Sequence, residues 1–284
     1  MNGFLVVDKP SGMTSHDVIA RCRRALGIRR IGHAGTLDPA ATGVLIIGVG
    51  SGARLLRFVE SAEKEYIGGV VFGATTTTCD AEGDVVAEHD ASQLDRRAVE
   101  RALEPFRGEI DQVPPMVSAI KVGGEALYVK ARRGEVIERA PRRITIHHLS
   151  LEDFTPGERA RATLRVVCSK GTYIRSLATD LGDALGCGAH LGSLRRTRVG
   201  PFGLDVAIAL DAVVPDAVRP MGDAVAGYPR RSVDTDQARA LCQGKSLPAA
   251  GIDGPYAVWD PQGLVAMAED RGEEARSLCV VEIR

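Results

Sequence analysis

The chain has 284 residues, of which 44% are hydrophobic and 26% charged, which supplies a folded core and excludes an intrinsically disordered chain. A formal net charge of −1 excludes a uniformly basic nucleic-acid binder, so a polyanion would have to be met by local patches. The six cysteines form no Cys-x-x-Cys pair, which argues against a zinc site, and no run approaches the roughly 18 apolar residues that span a bilayer.

At the start, Phe4-Leu5-Val6-Val7 reads as a short buried strand ended by Lys9-Pro10-Ser11-Gly12. It is too short for a signal peptide and Asp8 follows it at once, so a cytoplasmic protein with reduced thiols is expected. Ser15 suits a helix N-cap, Val18, Ile19, Cys22 and Leu26 recur at helical spacing, and Gly27 suits the C′ position. Val44 to Val49 and Tyr66 to Phe72 read as strands, and Leu94 to Phe106 as a helix with a weak stripe. Val113 to Arg143 is a basic excursion punctuated by Pro114-Pro115 and Gly123-Gly124, either a mobile arm or an ordinary surface hairpin. Ala162, Leu164 and Val166 alternate with polar residues as in a half-exposed strand. Thr172 can cap a helix carrying Ile174, Leu177, Ala178, Leu181 and Leu185. Strands and helices mix without regular βαβ alternation, which favours an α+β fold with a mixed, largely antiparallel sheet over a doubly wound one.

Charge is distributed unevenly. From Gly203 onward there are 13 acids against 8 bases, while Val18 to Gly32 carries Arg21, Arg23, Arg24, Arg29 and Arg30 with no acid. Such a patch fits either a polyanion or a solvated helix face. Pro215 to Pro229 reads as a linker, and Arg230 to Arg284 as a small β-rich module too short for much stability alone.

Gly32-His33-Ala34-Gly35-Thr36-Leu37-Asp38-Pro39-Ala40-Ala41-Thr42-Gly43 is the segment that carries chemistry. Its glycines and proline describe a loop of unusual backbone angles that a ligand can approach closely. It holds one carboxylate and one imidazole, and it lacks the lysine of a phosphate-binding loop. Gly48-Val49-Gly50-Ser51-Gly52 has the wrong spacing for a dinucleotide fingerprint. Taken alone, Asp38 before Pro39 suits a turn as well as catalysis, and His33 suits an ordinary hydrogen-bonded loop position.

This loop resembles the signature of the TruB/dyskerin branch of pseudouridine synthases, and of its bacterial TruB type in particular. Asp8 to Ser15 resembles the family's opening motif, and Lys64-Glu65-Tyr66 the segment with its active-site tyrosine. Pro114 to Lys121, with Gly124, Tyr128 and Ala131-Arg132, resembles the arm of this branch. Ser169 to Leu177 and Gly188 to Arg196 resemble the last two motifs, so order and spacing agree over residues 1 to about 200. One departure is Thr77, where an acid is more usual.

The resemblance implies a pseudouridine-synthase-like α+β domain over 1–225 with a basic RNA-gripping arm at 113–143, followed by a small PUA-like, here acidic, module over 229–284. It implies a monomeric isomerase that turns a uridine of the tRNA T-loop into pseudouridine without cofactor, metal or membrane. Asp38 would be the nucleophile, ionised at neutral pH given an ordinary aspartate pKa of about 3.9. Arg175 would pair with it, and a cation in the first turn of a predicted helix already breaks the dipole rule. Tyr66 would stack on the extruded base and exchange a proton, Tyr173 would line the same pocket, Leu194 would pack against the base or hold Tyr66, and His33 would fill the space the base leaves. Lys121, Lys130, Arg132 and Arg133 would meet RNA phosphates together with the Arg21–Arg30 patch. Lys9 and Pro10 would support the loop. The competing readings are an RNA-folding protein with secondary catalysis, a guide-RNA-dependent synthase, and an unrelated hydrolase that would need a second acid.

Overall fold

The computed structural model describes residues 1–118, 121–127, 130, 133, 135 and 137–281, apart from the side chains of 121, 122 and 126. Strand β1 (Gly3–Lys9) is buried on both faces, which is why its apolar run is continuous rather than alternating. Helix α1 (Ser15–Leu26) follows, but its N-cap is Thr14, not Ser15. The reason is a capping box, which needs an acceptor three residues on. Thr14 finds one in Asp17, whereas Ser15 would face Val18. The helix closes on Gly27 at φ 67°, as expected.

Strands β2 (Ile31–Ala34) and β3 (Thr42–Val49) flank the glycine-rich loop. After a short helix α2 (Leu56–Glu60), β4 (Lys64–Phe72) alternates buried and half-buried positions, and β5 (Ala74–Thr76) pairs with β6 (Val85–Glu88). The helix expected over Leu94 to Phe106 is shorter. Asp95 caps α3 (Arg96–Ala102), and a separate 3-10 turn covers Glu104–Phe106, because Pro105 lacks the N–H that would continue the ladder. β7 (Gly108–Gln112) leads into the excursion. There β8 (Lys121–Val122) and β9 (Glu125–Ala126) pair across Gly123 and Gly124, both at positive φ, as a two-residue hairpin turn requires. Arg139 donates to the Pro114 carbonyl at 3.0 Å and closes its base.

β10 (Arg142–Thr155) and β11 (Arg161–Cys168) form an antiparallel pair ahead of α4 (Ile174–Ala184). Tyr173, rather than Thr172, stands at the N-cap of α4, because the Thr172 hydroxyl donates to Ser169 O at 3.0 Å in the preceding turn. Strands β12 (Ala189–Val199), β13 (Phe202–Gly203), β14 (Ile208–Ala209) and β15 (Arg230–Ser232) precede α5 (Thr235–Cys242). β16 (Leu247–Pro248), β17 (Tyr256–Asp260), β18 (Gly263–Arg271) and β19 (Glu274–Val280) end the fold.

Two compact units result, one of residues 1–39, 43–62 and 199–284 and the other of 40–42 and 63–198. In the first, β1 pairs antiparallel with β3 and parallel with β14, and β2 pairs with β3. Leu5 and Val7 pack under α1 with Val18, Ile19 and Cys22. Phe4 and Val6, on the other face, share a core with Ala257, Leu264 and Met267 of the five-stranded C-terminal sheet β15-β17-β18-β19-β16 and with Val281 just beyond it. The C-terminal strands therefore complete the burial of β1 and do not stand alone. Residues 215–229 form 3-10 turns instead of a linker and contribute Ala224 and Val225 to that core. Gly48 and Gly52 admit the close approach of Ala53 and Gly3 backbone, which accounts for the glycine cluster without a ligand. In the second unit the strand order is β12-β4-β11-β10-β7, with α4 burying Ile174, Leu177, Ala178 and Leu181.

Candidate active site

In the first unit, His33 and Ala34 are held by pairing of β2 with Ile47 and Ile46, and Gly35 then turns the chain at φ 73°. The residues on either side of Asp38 are both anchored through their main chains. The Leu37 N–H donates to the Ser15 hydroxyl at 3.0 Å, and that hydroxyl donates to Leu37 O at 3.2 Å. Pro39 O accepts from the Lys9 ammonium at 3.0 Å and from the Gly12 amide at 2.9 Å. Lys9 is fully buried, and its charge is also satisfied by the carbonyls of Pro10 and Met13. The expected support of the loop by Lys9 thus has a concrete form. Asp38 itself is half-buried. The His33 ring meets the exposed His16 edge-on at 5.6 Å.

In the second unit, Arg175 occupies the second position of α4 and is 5% exposed. A cation there opposes the helix dipole. Its neighbours explain how it is tolerated, since Nη1 lies 3.4 Å from Asp80 Oδ2, while the carbonyls of Thr78 and Val117 accept from it at 3.1 and 2.7 Å. Asp80 is aimed in turn, because its Oδ1 accepts from the Thr78 hydroxyl at 2.5 Å and the Glu82 amide at 3.1 Å. Cys79, between them, has φ 61°, the only positive value outside glycine among the described residues, which marks a strained turn. Asp80 is not singled out by its local sequence. The available signal is an acid closing a threonine run beside Gly83.

Tyr66 lies on β4 and is 8% exposed. Gly68, two residues on and on the same face, has Ile174, Leu191 and Leu194 as its nearest side chains, so Leu194 and the start of α4 converge on the Tyr66 face. Tyr173 is half-buried, and its backbone is gripped by the buried Gln112, which accepts from the Tyr173 amide at 2.8 Å and donates to its carbonyl at 3.0 Å. Ser176 donates to Val113 O at 2.8 Å, so α4 is bound to the root of the basic excursion. On the opposite face of β4, burial would raise the Glu65 carboxyl, but hydrogen bonds from Arg165, Thr197 and Arg198 outweigh it and hold it below the usual carboxylate range.

Among the described residues, two cations of the excursion are engaged by its own acids. Arg133 pairs with Glu125 and Glu135, and Lys130 lies 4.0 Å from Glu135. Arg132, Tyr128 and the side chain of Lys121 lie outside the described residues. Arg21, Arg24, Arg29 and Arg30 are exposed and form no ion pair among the described residues. Among the described residues, no cluster of three or more His, Cys, Asp or Glu side chains could hold a metal ion, and no helix is long and apolar enough to cross a membrane.

Three family models match in succession. They are the TruB family pseudouridylate synthase N-terminal domain over residues 23–174, the tRNA pseudouridylate synthase B C-terminal domain over 175–222, and the tRNA pseudouridine synthase II C-terminal model over 228–282. The tRNA pseudouridine synthase B of Thermobifida fusca (strain YX) is 44% identical over 287 residues, covering 98% of both chains. That of Rhodococcus jostii (strain RHA1) is 46% identical over 285 residues, covering 98% of this chain and 93% of the relative. Among solved structures, a chain of "Crystal Structure of a Cbf5-Nop10-Gar1 Complex" aligns with TM-score 0.76 at 26% identity, covering 99% of this chain and 85% of that one. A chain of "Structure of H/ACA RNP bound to a substrate RNA containing 2'-deoxyuridine" aligns with TM-score 0.74 at 25% identity, with the same coverage.

Proposed function

Since the chain belongs to the TruB family of pseudouridylate synthases, we propose that it isomerises a uridine in the T-loop of tRNA, with Asp38 as the nucleophile. The reaction breaks the bond from ribose C1′ to uracil N1 and rejoins the uracil through C5. Substrate and product are isomers, so no electron or water molecule is left over. A nucleophile must be aimed and ionised for such a step. The observation that carries the reading is the main-chain anchoring of both residues that flank Asp38, Leu37 by Ser15 and Pro39 by Lys9 and Gly12.

Arg175 is the proposed electrostatic partner of Asp38. A guanidinium this deeply buried, with Asp80 fixed on one edge, is pre-oriented for a second carboxylate or for the developing charge of the reaction. Tyr66 stacks on the uracil after it leaves its RNA fold, an effect worth about 1–3 kcal/mol per base. Tyr173 and Leu194 line the same pocket, and His33 takes the place the base vacates. Phosphates are met by the Arg21–Arg30 patch and by the 113–143 arm, where Lys130 and Arg133 exchange their glutamate partners for RNA, alongside Lys121 and Arg132. The chain is proposed to work alone, as a monomer in the cytoplasm, without a guide RNA, a reading supported by its 44% identity to a bacterial tRNA pseudouridine synthase B.

The test is Asp38→Asn on an unmodified tRNA transcript. Tight binding with no pseudouridine is expected, and turnover at the wild-type rate would remove Asp38 from the chemistry.

A further inference from the structure

We propose that Ser15 is a positioning residue for the isomerisation, holding the peptide of Leu37 so that Asp38 keeps its attacking geometry. The inference rests on the reading of Asp38 as the nucleophile and adds the element that aims it.

Four observations carry it. Ser15 is 1% exposed, and a buried hydroxyl is costly unless it is hydrogen-bonded. Its bonds to Leu37 form a closed pair, with the hydroxyl accepting from the Leu37 amide at 3.0 Å and donating to the Leu37 carbonyl at 3.2 Å. The helix does not need this hydroxyl, because the capping box is made by Thr14 and Asp17. Leu37 is also pinned by its side chain, which is 3% exposed.

Ser15 therefore links a rigid element to the nucleophile's own peptide. Val18 and Cys22, both fully buried, seat α1 on β1 and β3, and Ser15 links that helix to the residue before Asp38. Without it, the Leu37 amide and carbonyl lose their partner and the peptide can rotate. A displacement of about 1 Å in a reacting group can cost on the order of 10²-fold in rate. Substrate binding should be unaffected, because the hydroxyl is buried under the loop and does not face RNA.

The test compares Ser15→Ala, Ser15→Cys, Ile19→Ala and Asp38→Asn, each as the full chain, for melting temperature, dissociation constant for unmodified tRNA, and single-turnover rate of pseudouridine formation. Ser15→Ala is expected to lower the single-turnover rate by about 10- to 100-fold while the dissociation constant stays within about threefold. Ser15→Cys keeps the shape but offers only a weak donor and acceptor, so it too should be slow. Ile19→Ala removes core packing from the same helix. It should lower the melting temperature at least as far, yet leave the rate within about twofold. Wild-type rates for Ser15→Ala or Ser15→Cys, with Asp38→Asn inactive, would overturn the role of Ser15 alone. Equal slowing by Ile19→Ala would overturn it as well, by reducing the effect to lost stability. An active Asp38→Asn would instead sink the nucleophile assignment beneath it.

Discussion

Nη1 of Arg175 lies 3.4 Å from Oδ2 of Asp80, and the other oxygen of that carboxylate is already taken by Thr78 and the Glu82 amide. The guanidinium thus meets a carboxylate that cannot swing away from it. The strain at Cys79 is the local cost of this arrangement, since a residue with a Cβ rarely adopts φ 61°.

Asp80→Asn keeps the shape and removes the charge. Removing one charge of a buried ion pair costs about 3 kcal/mol. We expect the midpoint of urea unfolding to fall accordingly. We also expect the single-turnover rate to drop, because Arg175 loses the partner that orients it. An unchanged midpoint would show that the pair contributes nothing.

Tyr66 is almost wholly buried on a regular strand, so Tyr66→Phe should fold normally. If its hydroxyl moves a proton, the rate should fall by about 10²-fold, with tRNA affinity preserved by the retained ring. Single-turnover kinetics beside a melting curve would separate the two effects. A wild-type rate would confine Tyr66 to stacking.

The exposed arginines near α1 make a prediction about salt. Replacing Arg21, Arg24, Arg29 and Arg30 with glutamine should weaken tRNA binding and flatten its salt dependence. The slope of log K against log salt should change by about 0.7–0.9 for each phosphate that is no longer neutralised. Chemistry on bound tRNA should continue at its former rate. An unaltered slope would assign the patch to solvent.

Asp270 in the C-terminal sheet is held well below the usual carboxylate range, at about 2, chiefly by the Tyr256 hydroxyl and then by the amides of Ala250, Ile252 and Gly251. A depressed folded-state value contributes stability above the ordinary aspartate range, which is lost as pH falls through the folded value. Asp270→Asn should therefore melt lower than the parent at neutral pH, and the gap should narrow between about pH 4 and pH 2. A gap independent of pH over that range would trace the loss to geometry instead of charge.

How legible this site is in the sequence depends on the range of the interaction. Gly27, Gly35 and the hairpin glycines are readable because positive φ is a property of one residue. The cap of α1 falls one residue earlier than expected, since Thr14 and Ser15 are both good caps and only the acceptor at Asp17 separates them. Asp80 stays hidden because nothing in its own segment reveals that Arg175 will fold onto it. The C-terminal strands look like a separable module because composition changes at Gly203. Composition does not register that Phe4 and Val6 share their core.

The chemical parts of this protein can be read along the chain: one loop with Asp38, a tyrosine on a strand, an arginine at a helix start, and the order in which they occur. Those follow from residue identity and short-range spacing, which the linear chain carries in full. Folding selects the groups that hold them in place, namely Ser15 on Leu37, Lys9 and Gly12 on Pro39, and Asp80 on Arg175. Each is a contact between distant segments, and its partner is chosen by the packing of strands and helices, which no local window of sequence contains.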